Sequence, residues 1–128
     1  MKPLTQEWVV KAEGDFITAT RELAAEDDLN YDAVCFHAQQ CAEKYLKACL
    51  QEEGIAFAKT HDLGSLLDLV LPMEPDWEAM RSELDDLTSY AVDVRYPGFS
   101  TDKARAHTVM TTCGQVRDLA RGRLGLAS

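Results

Sequence analysis

The sequence predicts an all-α fold, an antiparallel up-and-down four-helix bundle with one additional short helix. Three observations carry this. Apolar residues recur at three- and four-residue spacing through five segments, which is the period of one helix face. No stretch alternates apolar and polar residues as a half-buried strand does. The connections are short and marked by glycine, proline or a capping side chain, so neighbouring helices must run antiparallel.

The first helix is expected after Thr5, a good N-cap, with Trp8, Ala12, Phe16, Ala19 and Leu23 as its apolar stripe. It ends near Glu26-Asp27-Asp28. The second starts at Asn30 or Asp32, runs to about Glu53 and stops at Gly54. A loop from Ile55 to Lys59 leads to the short third helix. Thr60 is expected to cap it, with Asp62 in its first turn where the helix dipole favours a carboxylate. Leu63, Leu66, Leu67 and Val70 face inward, and Pro72 ends it. Pro75 suits the first turn of the fourth helix, which Trp77, Met80, Leu84, Leu87 and Ala91 carry into the core. The run Arg95-Tyr96-Pro97-Gly98 is the clearest break, because a residue before proline is pushed out of the helical region. Ser100 or Thr101 should cap the fifth helix, with Ala106, Val109, Met110, Cys113, Val116 and Ala120 on its core face. The tail from Gly122 to Ser128 is expected to fray.

A length of 128 residues fits one domain, residues 1–128, with a real core. An apolar fraction of 46% and a charged fraction of 27% are ordinary for a globular protein. No apolar run approaches the roughly 20 residues of a membrane span, and a cytoplasmic location is expected. The net charge of −9 is unevenly divided. Residues 1–95 carry −12 and residues 96–128 carry +3. Indiscriminate binding of nucleic acid over the whole surface is therefore excluded, although a local basic cleft is not. Cys35, Cys41, Cys49 and Cys113 lack CxxC spacing and fall among apolar helical residues, which reads as buried free thiols. No metal site and no cofactor are expected. Phosphate-loop, nucleophile-elbow, HExxH and dinucleotide motifs are all missing from the sequence.

Three places could carry chemistry. The second helix has a broad apolar face (Val34, Ala38, Cys41, Ala42, Tyr45, Cys49) and a narrow polar stripe of His37, Gln40, Lys44, Lys47 and Gln51. Its apolar breadth places it at the centre of the bundle, and being too wide for one bundle partner it also points to a second subunit. The stripe faces solvent, a partner or a ligand, and Glu43 with Lys47 can form a solvated i,i+4 pair. At Lys59-Thr60-His61-Asp62, two basic residues beside a helix N-terminus could hold phosphate, or the turn is simply a cap. Arg95 beside the Tyr96-Pro97 kink could hold a phosphate or carboxylate bidentately. Alternatively it pairs with Asp93 or Asp102 while Tyr96 packs into the bundle.

The order of these segments resembles the HEPN family (higher eukaryotes and prokaryotes nucleotide-binding). The residues that carry the resemblance are Phe36-His37-Ala38-Gln39-Gln40 with Glu43-Lys44 and Leu46-Lys47, then Lys59-Thr60-His61-Asp62-Leu63, then Arg95-Tyr96-Pro97. The resemblance spans Trp8 to about Arg121 and implies a bundle of four or five helices, usually a homodimer. Many small bacterial members act beside a minimal nucleotidyltransferase as a toxin–antitoxin pair, and others are metal-independent ribonucleases.

The ribonucleases carry an arginine and a following histidine with four to six residues between them. Here His37 is preceded at that distance by Asn30, Tyr31 and Asp32, His61 by Gly54, Ile55 and Ala56, and His107 by Ser100, Thr101 and Asp102. Arg95 takes the place of the motif arginine without its histidine. No catalytic residue is therefore assigned. The expected function is binding of a nucleotide, an RNA phosphate or a nucleotidyltransferase partner. The expected ligand-binding residues are Lys44, Lys59, His61, Arg95 and Tyr96, with His37, Gln40 and Lys47 as further candidates. An active ribonuclease with a nonstandard site, using a base such as His61, and a purely structural partner subunit are the alternatives.

Overall fold

The structure is a computed structural model that describes residues 1–127; Ser128 of the expected frayed tail lies outside the described residues. The five helices are α1 (Pro3–Leu23), α2 (Tyr31–Glu52), α3 (Leu63–Val70), α4 (Arg81–Thr88) and α5 (Lys103–Arg123). Single 3₁₀ segments at Pro75–Met80 and Ser89–Ala91 extend α4 at both ends. The expected fourth long helix is thus one continuous helical stretch, tightened at its termini. A third 3₁₀ turn, Asp93–Arg95, precedes the Tyr96-Pro97 kink.

Contacts between helix ends give the topology. The start of α1 meets the end of α2, where the Lys2 backbone N–H donates to Glu52 at 3.0 Å. The far end of α1 meets the start of α2, where Asn30 donates to Glu22 at 2.8 Å. At the start of α5, Thr101 donates to Asp32 through its backbone N–H (2.8 Å) and its hydroxyl (2.6 Å). At its end, Arg123 reaches Glu53 and Glu74. The four long elements therefore run up, down, up and down, with α2 and α5 parallel. The short α3 descends beside α2.

Asn30 and Gly54 bound α2 as expected, whereas α1, α3 and α5 start on other residues close to the expected ones. Pro3, with its φ already helical, opens α1 ahead of Thr5, which is buried in the first turn. Asn30 caps α2 by accepting from the Ala33 N–H. Asp62 and not Thr60 caps α3, accepting from the N–H groups of Gly64 (3.0 Å) and Ser65 (3.4 Å). Asp102 and not Ser100 or Thr101 caps α5, through the Arg105 N–H at 2.8 Å. An ionised carboxylate is the stronger acceptor for such donors, which explains both substitutions of role. Gly54 takes φ +70° and closes α2 in a Schellman motif, with Gly54 N–H to Gln51 O and Ile55 N–H to Leu50 O. α5 runs one residue past Gly122, and Leu126 bonds back to the Arg121 carbonyl at 2.8 Å.

The core is built around α2, which touches α1, α3, α4 and α5. Val34, Ala38, Cys41, Ala42, Tyr45 and Cys49 are all fully buried inside one chain. The breadth of the apolar face is thus used up within the chain, and α2 does not need the second subunit that its breadth suggested. The four cysteines are free and buried. Across the centre, Arg117 of α5 forms a bidentate pair with Glu13 of α1 at 2.8 Å for each bond. The Tyr45 hydroxyl also donates to Glu13 and accepts from Arg121. The Arg117 guanidinium holds Glu13 below the usual carboxylate range.

Candidate functional site

The residues named from sequence separate into three places along α2. The first is a polar network sunk into the bundle. Glu43 is 4% exposed and Lys47 6% exposed, so their 3.0 Å pair is not the solvated pair that i,i+4 spacing suggests. The Glu43 carboxylate also accepts from Nδ1 of His61 at 2.7 Å and from Nε2 of Gln39 at 3.3 Å. Gln39 in turn donates to the His61 carbonyl at 3.0 Å, and Gln40 donates to Gln39 at 2.7 Å. The Lys47 ammonium lies 5.5 Å from the Trp8 ring and 5.9 Å from the Phe57 ring. A buried charge needs such neighbours, because an unpaired one is strongly disfavoured.

His61 stands at the mouth of this network with its side chain 55% exposed. An ionised carboxylate can only accept, so in the neutral imidazole Nδ1 carries the proton and Nε2 keeps its lone pair. The pair is thus arranged as a carboxylate-oriented base. Gln39 and Glu43 are not among the site residues expected from sequence. A signal for them exists: Leu46 and Leu50 follow them at i+7, so both sit on an apolar side of the helix, where a polar group must have a partner.

The second place is Asp15 of α1, whose carboxylate binds His37 Nδ1 at 2.8 Å and Lys44 Nζ at 2.6 Å. Two stripe residues are therefore joined by an acid from another helix, which no local spacing could reveal.

The third place is a groove of 280 Å³ between the start of α2 and the Asp93–Arg95 turn, lined by Asn30, Phe36, His37, Val94 and Arg95 among others. Arg95 lies over the Phe36 ring, 4.6 Å from its centroid. The guanidinium has no ion pair among the described residues, with Asp93 and Asp102 included. Tyr96 is extended (φ −115°, ψ 147°), as a residue before proline should be, and is 62% exposed and not packed in the bundle.

These places do not merge into one cleft. No hydrogen bond or ion pair among the described residues joins Lys59, Arg95 or Tyr96 to His61 or Lys44. Lys59 is exposed, and the N-terminal donors of α3 beside it are already engaged by Asp62. The Asp102 cap likewise occupies the start of α5, and Arg95 lies against α2.

The geometry brings the Phe36–Lys47 segment against both the His61 turn and Arg95, and the profile of the HEPN domain family matches residues 5–123. The chain belongs to the HEPN family. Two solved structures share the fold. TT1696 from Thermus thermophilus aligns at a TM-score of 0.78 with 22% identity, covering 93% of this chain and 97% of its own. ST0689, an archaeal HEPN homologue, aligns at 0.69 with 26% identity, covering 96% and 98%. No curated protein matches the chain. No helix among the described residues is long and apolar enough to cross a membrane.

Proposed function

We propose that this HEPN protein binds a nucleotide or RNA phosphate in the groove at Arg95 and works as a binding subunit. The observation that carries the reading is Arg95 itself: an exposed guanidinium stacked on Phe36, without a carboxylate partner among the described residues, in a groove that also holds His37. A guanidinium in this state offers its planar fork to a phosphate, while an aromatic platform can take a base. The absence of a histidine at the family's spacing argues against RNA cleavage through that motif. The family resemblance supports a nucleotidyltransferase partner in a toxin–antitoxin-like system. Dimerisation, if it follows the family, would use surface other than α2. Val10 and Ile17, exposed seven residues apart on α1, are the unpartnered apolar positions best spaced for it.

Calorimetric titration of ATP and of a short RNA into wild type and Arg95→Ala tests the groove. Wild type should bind, and the variant about tenfold or more weakly, with the fold intact. Equal affinity in both proteins, or binding by neither, would refute it.

A second reading has its own observation. The His61–Glu43 pair could serve as the base of a nonstandard metal-independent ribonuclease. RNA cleavage by repurified protein that vanishes in His61→Ala would establish it, and no cleavage by wild type would dismiss it.

A further inference from the structure

A further cleft lies apart from all of these places. It measures 450 Å³ and opens between the end of α4 and the loop leading into α5. Three aspartates line it, Asp85, Asp86 and Asp102, against one cation, Arg105. One wall is aromatic: Tyr90 and Phe99 meet edge to face, with ring centroids 5.9 Å apart. The walls are braced, because Asp32 holds Thr101 at the cleft edge through two hydrogen bonds of 2.8 and 2.6 Å.

Tyr90 is the telling residue. It is 5% exposed, and its phenol oxygen makes no hydrogen bond with the described residues but is open to the solvent of the cleft, unlike the buried unpaired Thr5 Oγ1 and Trp8 Nε1. Asp86, Asp102 and Arg105 line the same cleft. Burial raises its pKa, so the group is a neutral phenol at physiological pH and can accept one hydrogen bond from an occupant. An oxygen at a cleft wall with no protein partner is a position that a ligand can fill.

We propose that this cleft binds a guanidinium group. The charge balance is net negative and calls for a cation. The aromatic wall disfavours a bare metal ion, and no three carboxylates, histidines or cysteines among the described residues converge on a point. A planar guanidinium fits each feature: its fork bonds carboxylates bidentately, its face lies on aromatic rings, and it has N–H groups left for the phenol oxygen. The source is either an arginine side chain of a partner polypeptide or a small free guanidine. The site is separate from the phosphate groove, and either can exist without the other.

The test is an amide NMR titration of the full chain with methylguanidine, free arginine, a short arginine peptide, the same peptide with citrulline, and magnesium chloride. The guanidinium ligands should give saturating shifts at Ser89, Tyr90 and Asp102, and citrulline should give none. Asp86→Asn should weaken binding about tenfold and Tyr90→Phe several-fold, while Arg105→Gln should strengthen it. Tyr90→Phe keeps the ring in the core, so it reports on the oxygen and not on folding. A peptide that binds about tenfold tighter than free arginine assigns the guanidinium to a partner, and equal affinity assigns it to a small molecule. The proposal falls if guanidinium ligands give no saturating shift by about 10 mM, if citrulline shifts the same amides equally, or if magnesium alone reproduces the pattern.

Discussion

Replacing Glu43 by glutamine should cost this protein a large part of its stability, and removing Lys47 as well should restore most of it. Glu43 and Lys47 are nearly inaccessible, and the lysine ammonium has one carboxylate within 3.0 Å. Glutamine keeps the volume and one acceptor but takes away the countercharge. Breaking a buried ion pair by removing one member typically costs about 3–5 kcal/mol. The Trp8 and Phe57 rings near Nζ soften the loss, since a cation facing a ring retains about 0.5–2 kcal/mol. A loss of about 3 kcal/mol is therefore expected for Glu43→Gln. With a urea slope of about 1.5 kcal/mol/M, the unfolding midpoint would fall by about 2 M. In Lys47→Met the carboxylate loses its cation but keeps Gln39 and His61 as donors, so the cost should be smaller. The double variant Glu43→Gln/Lys47→Met should lie within about 1 kcal/mol of wild type, because a neutral, well-filled site has no desolvated charge to support. Urea unfolding followed by circular dichroism on all four proteins gives the coupling energy directly. If Glu43→Gln loses less than about 1 kcal/mol and the double variant shows no coupling, the pair behaves like an exposed one and the buried-network account is wrong.

Three further outcomes follow from the fold. Because Arg117 holds Glu13 below its ordinary pKa, the Glu13 contribution is fully present above the unfolded carboxylate range and is lost as pH falls through the lower folded value. Glu13→Gln should therefore flatten the decline of melting temperature on acidification, and a slope identical to wild type would count against the pairing. Gly54→Ala places a side chain at φ +70° and should destabilise by about 1 kcal/mol, read as a lower urea midpoint with unchanged slope. Burial pushes the Cys35 thiol up to about 11 and the Cys49 thiol up to about 12, so neither should react with a thiol reagent near pH 8 until the chain unfolds. Rapid labelling of either in native protein would show that α2 opens locally.

Much of the fold was legible because helices write their packing into local spacing. The core faces of α4 and α5 were readable in this way, down to Leu84, Leu87, Val109 and Val116, all of them buried. The caps were readable to within three residues, since several groups at one boundary can serve and only the folded geometry picks among them. The site was less legible for a different reason. Asp15 lies 22 residues from His37 and 29 from Lys44, and it neutralises part of the cationic stripe from another helix. Lys47 carries a charge at a position that periodicity alone assigns to solvent. Its burial depends on Trp8 and Phe57 closing over it from α1 and from the loop after α2.

The three segments that carry the family resemblance are distant in sequence and adjacent in space, and α2 is where they meet. His61 binds Glu43 through its ring and Gln39 through its carbonyl, while Arg95 stacks on Phe36 nearly two helical turns away. The two junctions differ in kind. The His61 junction is sealed by a buried carboxylate and a buried ammonium, so its removal should disturb folding whether or not it has any chemical role. Loss of activity there would not by itself identify a catalyst. The Arg95 junction lies on the surface and engages no protein anion among the described residues, so stability gives little account of it. A substitution at Arg95 therefore separates function from folding more cleanly than one at Glu43, Lys47 or His61. The experiments accordingly have an order: the Glu43–Lys47 cycle measures how much of the α2 network is structural, and only against that value can an effect at His61 be read as chemistry.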